Sequence, residues 1–289
     1  MKIKTDITTT QRFRLDIARS NRQIISTSLS LLLSYAGIWA KSLWPICVAT
    51  GLLGTILSIL CHLAEIPPII YQVTGILIAV ASTAFIVTIS HQMMADASLS
   101  ESGKLQPFRF SKDNIQQLSK SSKIPFIVFL VTSLLTLATF YALCSLPVIP
   151  DFLLIPSLLS AVLFWLPFHL AAYHHLSFLP STFVGMQLVK RKPANQYGHA
   201  LIIGLCAGTL FLLLTFIISL PFGILHMASI LSEHSVMAGD PSDLPGYVPI
   251  LSYLLSFATL AASTFFLLIV IIPYHLLSYS LRCRYQPKV

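Results

Sequence analysis

Charged side chains are scarce in this sequence. Asp, Glu, Lys and Arg make up 10% of its 289 residues, whereas a soluble domain carries about 25%. Hydrophobic residues account for 55% and the mean hydropathy is +0.81. Apolar runs longer than the ~18 residues of a transmembrane helix recur along the chain. These features exclude an ordinary soluble domain and predict an all-α integral membrane protein, because a transmembrane barrel would show ~10-residue alternating segments.

Several signatures of chemistry are also missing. The middle of each apolar run contains no Lys, Arg, Asp or Glu, which argues against an ion-coupled transporter because such residues form ion and proton paths. The sequence has no nucleotide-binding glycine pattern, no GxSxG and no HExxH. We therefore expect no enzymatic activity and no cofactor. The five cysteines show no zinc spacing, although a disulfide between Cys61 and Cys144 is an open alternative.

The basic residues indicate how the chain is threaded. The net charge is +8, but the Lys and Arg residues are distributed among loops between apolar runs, which disfavours nucleic acid as a partner. With a cytoplasmic N-terminus and six spans, every one of them falls on the cytoplasmic side, as the positive-inside rule requires. We expect a multi-pass protein of a bacterial inner membrane with both termini in the cytoplasm. The predicted spans are Leu43–Leu63, Ile66–Ser90, Ile124–Leu146, Phe152–Ala172, Ala200–Leu225 and Val248–Leu276.

The region before the first span has a different polarity. Residues 1–42 combine a basic arm with an uncharged stretch, Gln23–Ala40, in which apolar residues recur at spacings of three and four. This periodicity predicts an amphipathic helix that lies in the plane of the membrane interface. A cleavable signal peptide is the alternative. Residues 43–289 are the predicted six-helix transmembrane domain. The apolar stripe consists of Ile25, Leu29, Leu32, Ala36, Trp39 and Leu43.

The six spans form three predicted hairpins, at about 43–90, 124–172 and 200–276. A Pro-aromatic-His-Leu motif lies at the cytoplasmic end of the second helix in two of them, as "PFHLAAYHH" from Pro167 and "PYHLLSY" from Pro273. This repetition favours a divergent triplication of an in-plane helix followed by a hairpin. Convergence of helix-end sequences is the alternative.

A basic amphipathic helix followed by a hairpin, three times in succession, resembles the six-helix membrane domain attached to some bacterial glycerophosphodiester phosphodiesterases. It is also similar to related bacterial six-helix membrane families. The resemblance covers most of the chain and rests on architecture and hydropathy. It implies a fold and no activity, because catalysis in those enzymes belongs to a soluble domain that has no counterpart in these residues.

Histidines near the cytoplasmic side are the candidate metal ligands. His169, His174 and His175 resemble one histidine box of the membrane di-iron enzymes, and His275 lies at the same end of the last span. Neutral imidazole binds iron and zinc well. However, the other boxes are missing and no carboxylate accompanies these histidines in the helices. The alternative interpretation places them in the headgroup layer among aromatic side chains.

Prolines and small residues predict how the helices bend and pack. A proline inside a span frees the carbonyl four residues earlier and favours a kink. A row of small residues at every fourth position favours close contact, either inside the bundle or with another subunit. The kink candidates are Pro167, Pro221 and Pro273, and the packing row is Ala200, Gly204 and Gly208.

These patterns favour a non-enzymatic membrane protein that binds lipid, a small hydrophobic ligand or a membrane partner. The expected partners are the lipid bilayer and either another protein or a second copy of the chain. A transporter or permease component is one alternative, and it should have a polar cavity at the kinked helices. A membrane enzyme that uses a metal held by the histidines is the other.

Overall fold

The computed structural model describes residues 15, 17–63, 68–99, 104–123, 126–127, 130–131, 193–237 and 245–285. Within these ranges the regular structure is entirely α-helical, with no β-strand. The helices are α1 (Asn21–Ser34), α2 (Ala36–Leu63), α3 (Pro68–Leu99), α4 (Lys112–Ser121), α5 (Pro193–Met237), α6 (Val248–Phe266) and α7 (Leu268–Tyr285).

Four stretches are long and apolar enough to cross a membrane: Ala36–Cys61, Val73–Leu99, Gly198–Ser229 and Val248–Ser280. They correspond to the first, second, fifth and sixth predicted spans. The span predicted at Phe152–Ala172 lies outside the described residues, as does nearly all of Ile124–Leu146. The second predicted hairpin, at about 124–172, and the six-span count therefore stay predictions.

The predicted N-terminal helix at Gln23–Ala40 is two helices in the structure. The Ser20 hydroxyl accepts from the Gln23 backbone N–H and the Gln23 side chain accepts from the Ser20 N–H, so a capping box starts α1. Tyr35, with φ −117° and ψ 21°, ends it, and α2 begins immediately at Ala36. The predicted domain boundary after residue 42 thus falls inside α2, in which Lys41 is an isolated charge.

Buried side chains are concentrated at one end of the bundle, where the start of α2, the second half of α3, the start of α5 and α7 meet. The other end exposes apolar surface; for example, Phe216 of α5 is 63% exposed. Side chains that are this apolar and this exposed suit contact with lipid tails. The largest fully buried side chains are Trp39, Ile24, Leu43, Ile86, Ile89, Met94, Ile203, Leu268, Ile271 and Ile272.

Helices α2 and α6 pack closely against each other, and two glycines permit this approach. A β-carbon on Gly51 would lie 2.8 Å from Cδ2 of Phe257 and 3.0 Å from its carbonyl oxygen. A β-carbon on Gly54 would lie 2.5 Å from Cδ1 of Leu260. Real β-carbons essentially never come within 3.0 Å of another heavy atom, so a side chain at either position requires a shift. At Gly54 the tip of the Leu260 side chain can move, whereas at Gly51 the backbone oxygen of Phe257 is also in the way. A buried hydrogen bond of 2.6 Å between the Thr50 and Ser82 hydroxyls links α2 to α3 on another side.

The two kink candidates that the structure describes, Pro221 and Pro273, lie inside helices, as does Pro45 of α2, and the backbone remains helical through all three. Pro221 is inside α5 and Pro273 is inside α7, while Pro249 occupies the first turn of α6. The predicted last span divides into α6 and α7 at Leu267. Pro167 lies outside the described residues, so its kink stays a prediction.

Candidate functional site

His275 lies inside the bundle, between α3 and α7. It is 1% exposed, and its Nε2 is 3.0 Å from the hydroxyl of Ser90 on α3, which is fully buried. The same hydroxyl donates to the carbonyl of Val87 at 3.0 Å. Because a hydroxyl has one proton, the bond to Val87 leaves Ser90 as the acceptor and assigns a proton to Nε2. The Ser90–His275 pair therefore ties α3 to α7.

A second histidine extends this polar contact by one helical turn. The Tyr279 hydroxyl lies 3.2 Å from Nε2 of His91, and the two rings are stacked with an 11° angle between their planes. The ring centroids of His91 and His275 are 5.7 Å apart. His275 and Tyr279 lie four residues apart on one face of α7, and they contact the consecutive residues Ser90 and His91 of α3. The resulting cluster, defined as Ser90, His91, His275 and Tyr279, is the buried polar centre of this end of the bundle.

The aromatic residue of the "PYHLLSY" motif also binds another helix. The Tyr274 hydroxyl donates to the backbone carbonyl of Ala200 on α5 at 3.2 Å, and both residues are buried. Ala200, the first member of the predicted small-residue row, thus contacts α7 within the chain. A β-carbon on Gly208 would meet nothing within 4 Å. The close contact predicted at Gly204 and Gly208 stays a prediction, whereas Gly51 and Gly54 were missed although they too are small residues one turn apart.

The N-terminal arm is fastened to α7 through its backbone. The Ser280 hydroxyl accepts from the Arg19 backbone N–H at 2.8 Å and donates to the Arg19 carbonyl at 3.1 Å. The Arg19 guanidinium folds back onto the carbonyl of Leu15 at 3.3 Å. Burial lowers the pKa of Arg19, with an opposing effect of Cys283, yet a guanidinium stays protonated in proteins. These hydrogen bonds, called the Arg19–Ser280 clamp, hold the backbone immediately before Ser20, the N-cap residue of α1.

An apolar groove of about 340 Å³ runs between α3 and the segment that follows α4. Its walls combine small and aromatic residues of α3 with apolar residues of the following segment. Ser122 and Lys123 contribute the polar groups of the lining. The apolar lining residues are Ala81, Ala84, Phe85, Phe126 and Ile127.

A polar pocket of about 380 Å³ lies at the C-terminal end of α3, against the segment 104–111. Asp96 of α3 contributes a carboxylate, and Lys104 and Arg109 contribute cations. The amides of Gln92, Gln106 and Asn114 complete its polar lining. This pocket was not found from the sequence, because its residues come from two segments whose packing depends on the fold.

The predicted metal ligands are only partly placed. His169, His174 and His175 lie outside the described residues, so their relation to His275 stays a prediction. Among the residues that the structure describes, no group of three or more His, Cys, Asp or Glu side chains is arranged to hold a metal ion. Cys61 has a free thiol in the structure, and Cys144, its suggested disulfide partner, lies outside the described residues.

Comparison of the chain with protein-family models, curated proteins and solved structures gives no match in any of the three. The function is therefore argued from the residues and their geometry.

Proposed function

We propose that this chain is a multi-pass protein of a bacterial inner membrane, with six spans and both termini in the cytoplasm, that binds a lipid and catalyses no reaction. The apolar groove beside α3 is the observation that carries lipid binding. Its volume of about 340 Å³ and its apolar walls suit part of an acyl chain. The ammonium group of Lys123 at the groove suits the phosphate of the same lipid.

Four helices of membrane-spanning length and composition support the membrane location. Exposed apolar side chains on their surface support it further, because a soluble protein rarely leaves such an extended apolar surface in water. Leu212 and Ile224 of α5, for example, are 65% and 67% exposed. The distribution of basic residues in the sequence supports the orientation.

Labelling of single cysteines in a cysteine-free background tests the topology. Tyr247→Cys lies at the start of α6, on the proposed outer side, and Lys120→Cys lies at the end of α4, on the proposed inner side; both native residues are exposed. A membrane-impermeant maleimide should label Tyr247→Cys in spheroplasts and Lys120→Cys only after the membrane is opened. The reverse pattern, or labelling of both in sealed cells, would contradict the topology.

Retention of lipid by the purified protein tests the groove. Ala81→Leu adds volume to the groove wall, whereas Ala79→Leu adds the same volume on an exposed position of α3 that does not line the groove. Native mass spectrometry from mild detergent should detect a bound phospholipid on the parent and on Ala79→Leu, and much less on Ala81→Leu. Equal lipid on both variants, or none on the parent, would refute lipid binding in the groove.

A further inference from the structure

The polar pocket at the end of α3 contains two side chains of opposite charge, Asp96 and Arg109, that do not pair with each other. Asp96 lines one side, and Arg109 lines the same pocket from the segment 104–111. Within the described ranges, neither side chain forms an ion pair or a hydrogen bond with another residue. An acidic and a basic side chain that share a cavity without pairing leave both charges available to a ligand.

The backbone at Arg109 is fixed before any ligand arrives. Its carbonyl accepts two hydrogen bonds, from the Ser111 N–H at 2.9 Å and from Nδ2 of Asn114 at 2.8 Å. The preceding residue, Phe108, donates its N–H to the Ser42 hydroxyl of α2 at 3.0 Å. The segment is thus bonded both to α4 and to α2. A pre-ordered backbone reduces the entropy lost on binding, which distinguishes this pocket from a flexible charged loop.

The charges of the pocket select the class of ligand. A simple anion would meet the carboxylate of Asp96, and a simple cation would meet Lys104 and Arg109. A ligand with one group of each sign satisfies both. The cationic side is the larger, since Gln92 adds an amide donor to Lys104 and Arg109. Several donors suit the multiple acceptor oxygens of a phosphate better than the two oxygens of a carboxylate.

We propose that this pocket binds a phosphate ester that carries a primary ammonium group, the chemistry of phosphoethanolamine. Arg109 and Lys104 bind the phosphate oxygens, and Asp96 accepts hydrogen bonds from the ammonium group. A quaternary ammonium has no proton to donate, so the pocket discriminates against phosphocholine. The same chemistry occurs in a lipid headgroup and in a soluble phosphoethanolamine. The pocket and the apolar groove have no lining residue in common, so the proposal does not depend on lipid binding in the groove.

Binding measurements on the detergent-solubilised full chain test this proposal. Isothermal titration with O-phosphoethanolamine should give saturable binding, with about tenfold weaker binding of O-phosphocholine, inorganic phosphate and glycine. O-phosphocholine and inorganic phosphate lack the ammonium N–H donors, and glycine has a carboxylate in place of the phosphate. Native mass spectrometry from nanodiscs of mixed phosphatidylethanolamine, phosphatidylcholine and phosphatidylglycerol tests the lipid source. Binding of the soluble compound alone identifies a soluble ligand; retention of phosphatidylethanolamine identifies a headgroup site.

Two variants with matched controls separate the two charges. Arg109→Gln should weaken binding of O-phosphoethanolamine and of inorganic phosphate by about tenfold or more. Asp96→Asn should abolish the preference for O-phosphoethanolamine over O-phosphocholine and leave phosphate binding unchanged or tighter. Lys120→Gln and Asp113→Asn make the same charge changes at exposed positions of α4 that do not line the pocket, and they should leave binding unchanged.

Thermal unfolding of each variant checks that the fold is retained, because both charged residues lie near the surface. The proposal is overturned if neither the soluble compound nor the lipid binds, or if phosphate, glycine and O-phosphoethanolamine bind equally. It is also overturned if the control variants weaken binding as much as Arg109→Gln and Asp96→Asn. Loss of lipid from Ala81→Leu with unchanged O-phosphoethanolamine binding would separate the groove from this pocket.

Discussion

Ser280 holds Arg19 through both of its backbone hydrogen-bonding groups, although 261 positions separate the two residues in sequence. One hydroxyl thereby satisfies an N–H and a C=O that precede the first helix. Because these groups are part-buried, an unpaired one would lose hydrogen bonding to water as well. The contact joins the N-terminal arm to the last described helix.

Ser280→Ala should detach this arm. Both backbone groups of Arg19 lose their partner, at a cost of about 1–3 kcal/mol. Hydrogen–deuterium exchange across residues 17–34 should therefore become faster. Ser278→Ala is the matched control, because Ser278 is a buried serine of the same helix whose hydroxyl donates to the Tyr274 carbonyl within α7. Equally fast exchange in the two variants would show that Ser280 does not fasten α1.

Ser90→Ala should destabilise the junction of α3 and α7. The proton on His275 Nε2 loses its buried acceptor, with an expected loss of about 1–3 kcal/mol in the free energy of unfolding. Thr88→Val removes a buried hydroxyl that donates to the Ala84 carbonyl in its own helix. This substitution should lower the free energy of unfolding by less than Ser90→Ala. Thermal unfolding in one detergent, with a double-mutant cycle between Ser90→Ala and His275→Leu, measures the coupling. A coupling energy near zero would contradict a bond between the two side chains.

Gly51→Ala should separate α2 from α6. The added methyl group meets both the ring and the backbone oxygen of Phe257, and overpacking of this kind costs about 1–3 kcal/mol. Gly208→Ala is the comparison, since its β-carbon meets nothing within 4 Å and alanine favours a helix over glycine by roughly 0.5–1 kcal/mol. The unfolding temperature should fall for the first and rise or stay constant for the second. A fall for Gly208→Ala would indicate that the predicted small-residue row contacts another subunit.

Removal of metal should not change the stability of the protein. Nε2 of His275 already interacts with Ser90, and the described residues contribute no third ligand to His91 and His275. Unfolding temperatures with and without a chelator should agree, and elemental analysis should find far less than one metal ion per chain. Stoichiometric iron or zinc, with a lower unfolding temperature after chelation, would instead support a centre that includes His169, His174 and His175.

The long apolar runs predicted helices of membrane-spanning length well. A helix forms its backbone hydrogen bonds within its own segment, so its existence depends on local sequence. The face of α1 that packs against the rest of the bundle was less predictable. The predicted stripe begins at Ile25, whereas Ile24, Ser28 and Leu31 are the buried residues of α1. Neighbouring apolar residues, such as Ile24 and Ile25, allow either face to point inward, and the contact with α7 selects one. The residue pattern of one helix does not indicate which distant helix packs against it.

The same limit explains the outcome for the site. His275 was singled out by its motif as a candidate metal ligand, and that role stays a prediction. Its burial was not predicted, because it depends on Ser90 of another helix. The glycines at 51 and 54 lie one turn apart in an apolar run, which is a recognisable signal of close packing. Their partners, Phe257 and Leu260, follow some two hundred positions later and have no special pattern. Asp96 and Arg109 likewise line the same pocket only because of the fold.

The clamp between Arg19 and Ser280 also has a consequence for biogenesis. Translation produces α1 first and α7 after every other described helix, so the docking surface of α1 is incomplete until the ribosome has delivered nearly the whole chain. During synthesis the residues of α1 that pack against α7 lack this contact until α7 has been made. The packing of α1 is completed only after α7 has been synthesised. A chain that stops before Ser280 would leave its first helix exposed to quality control.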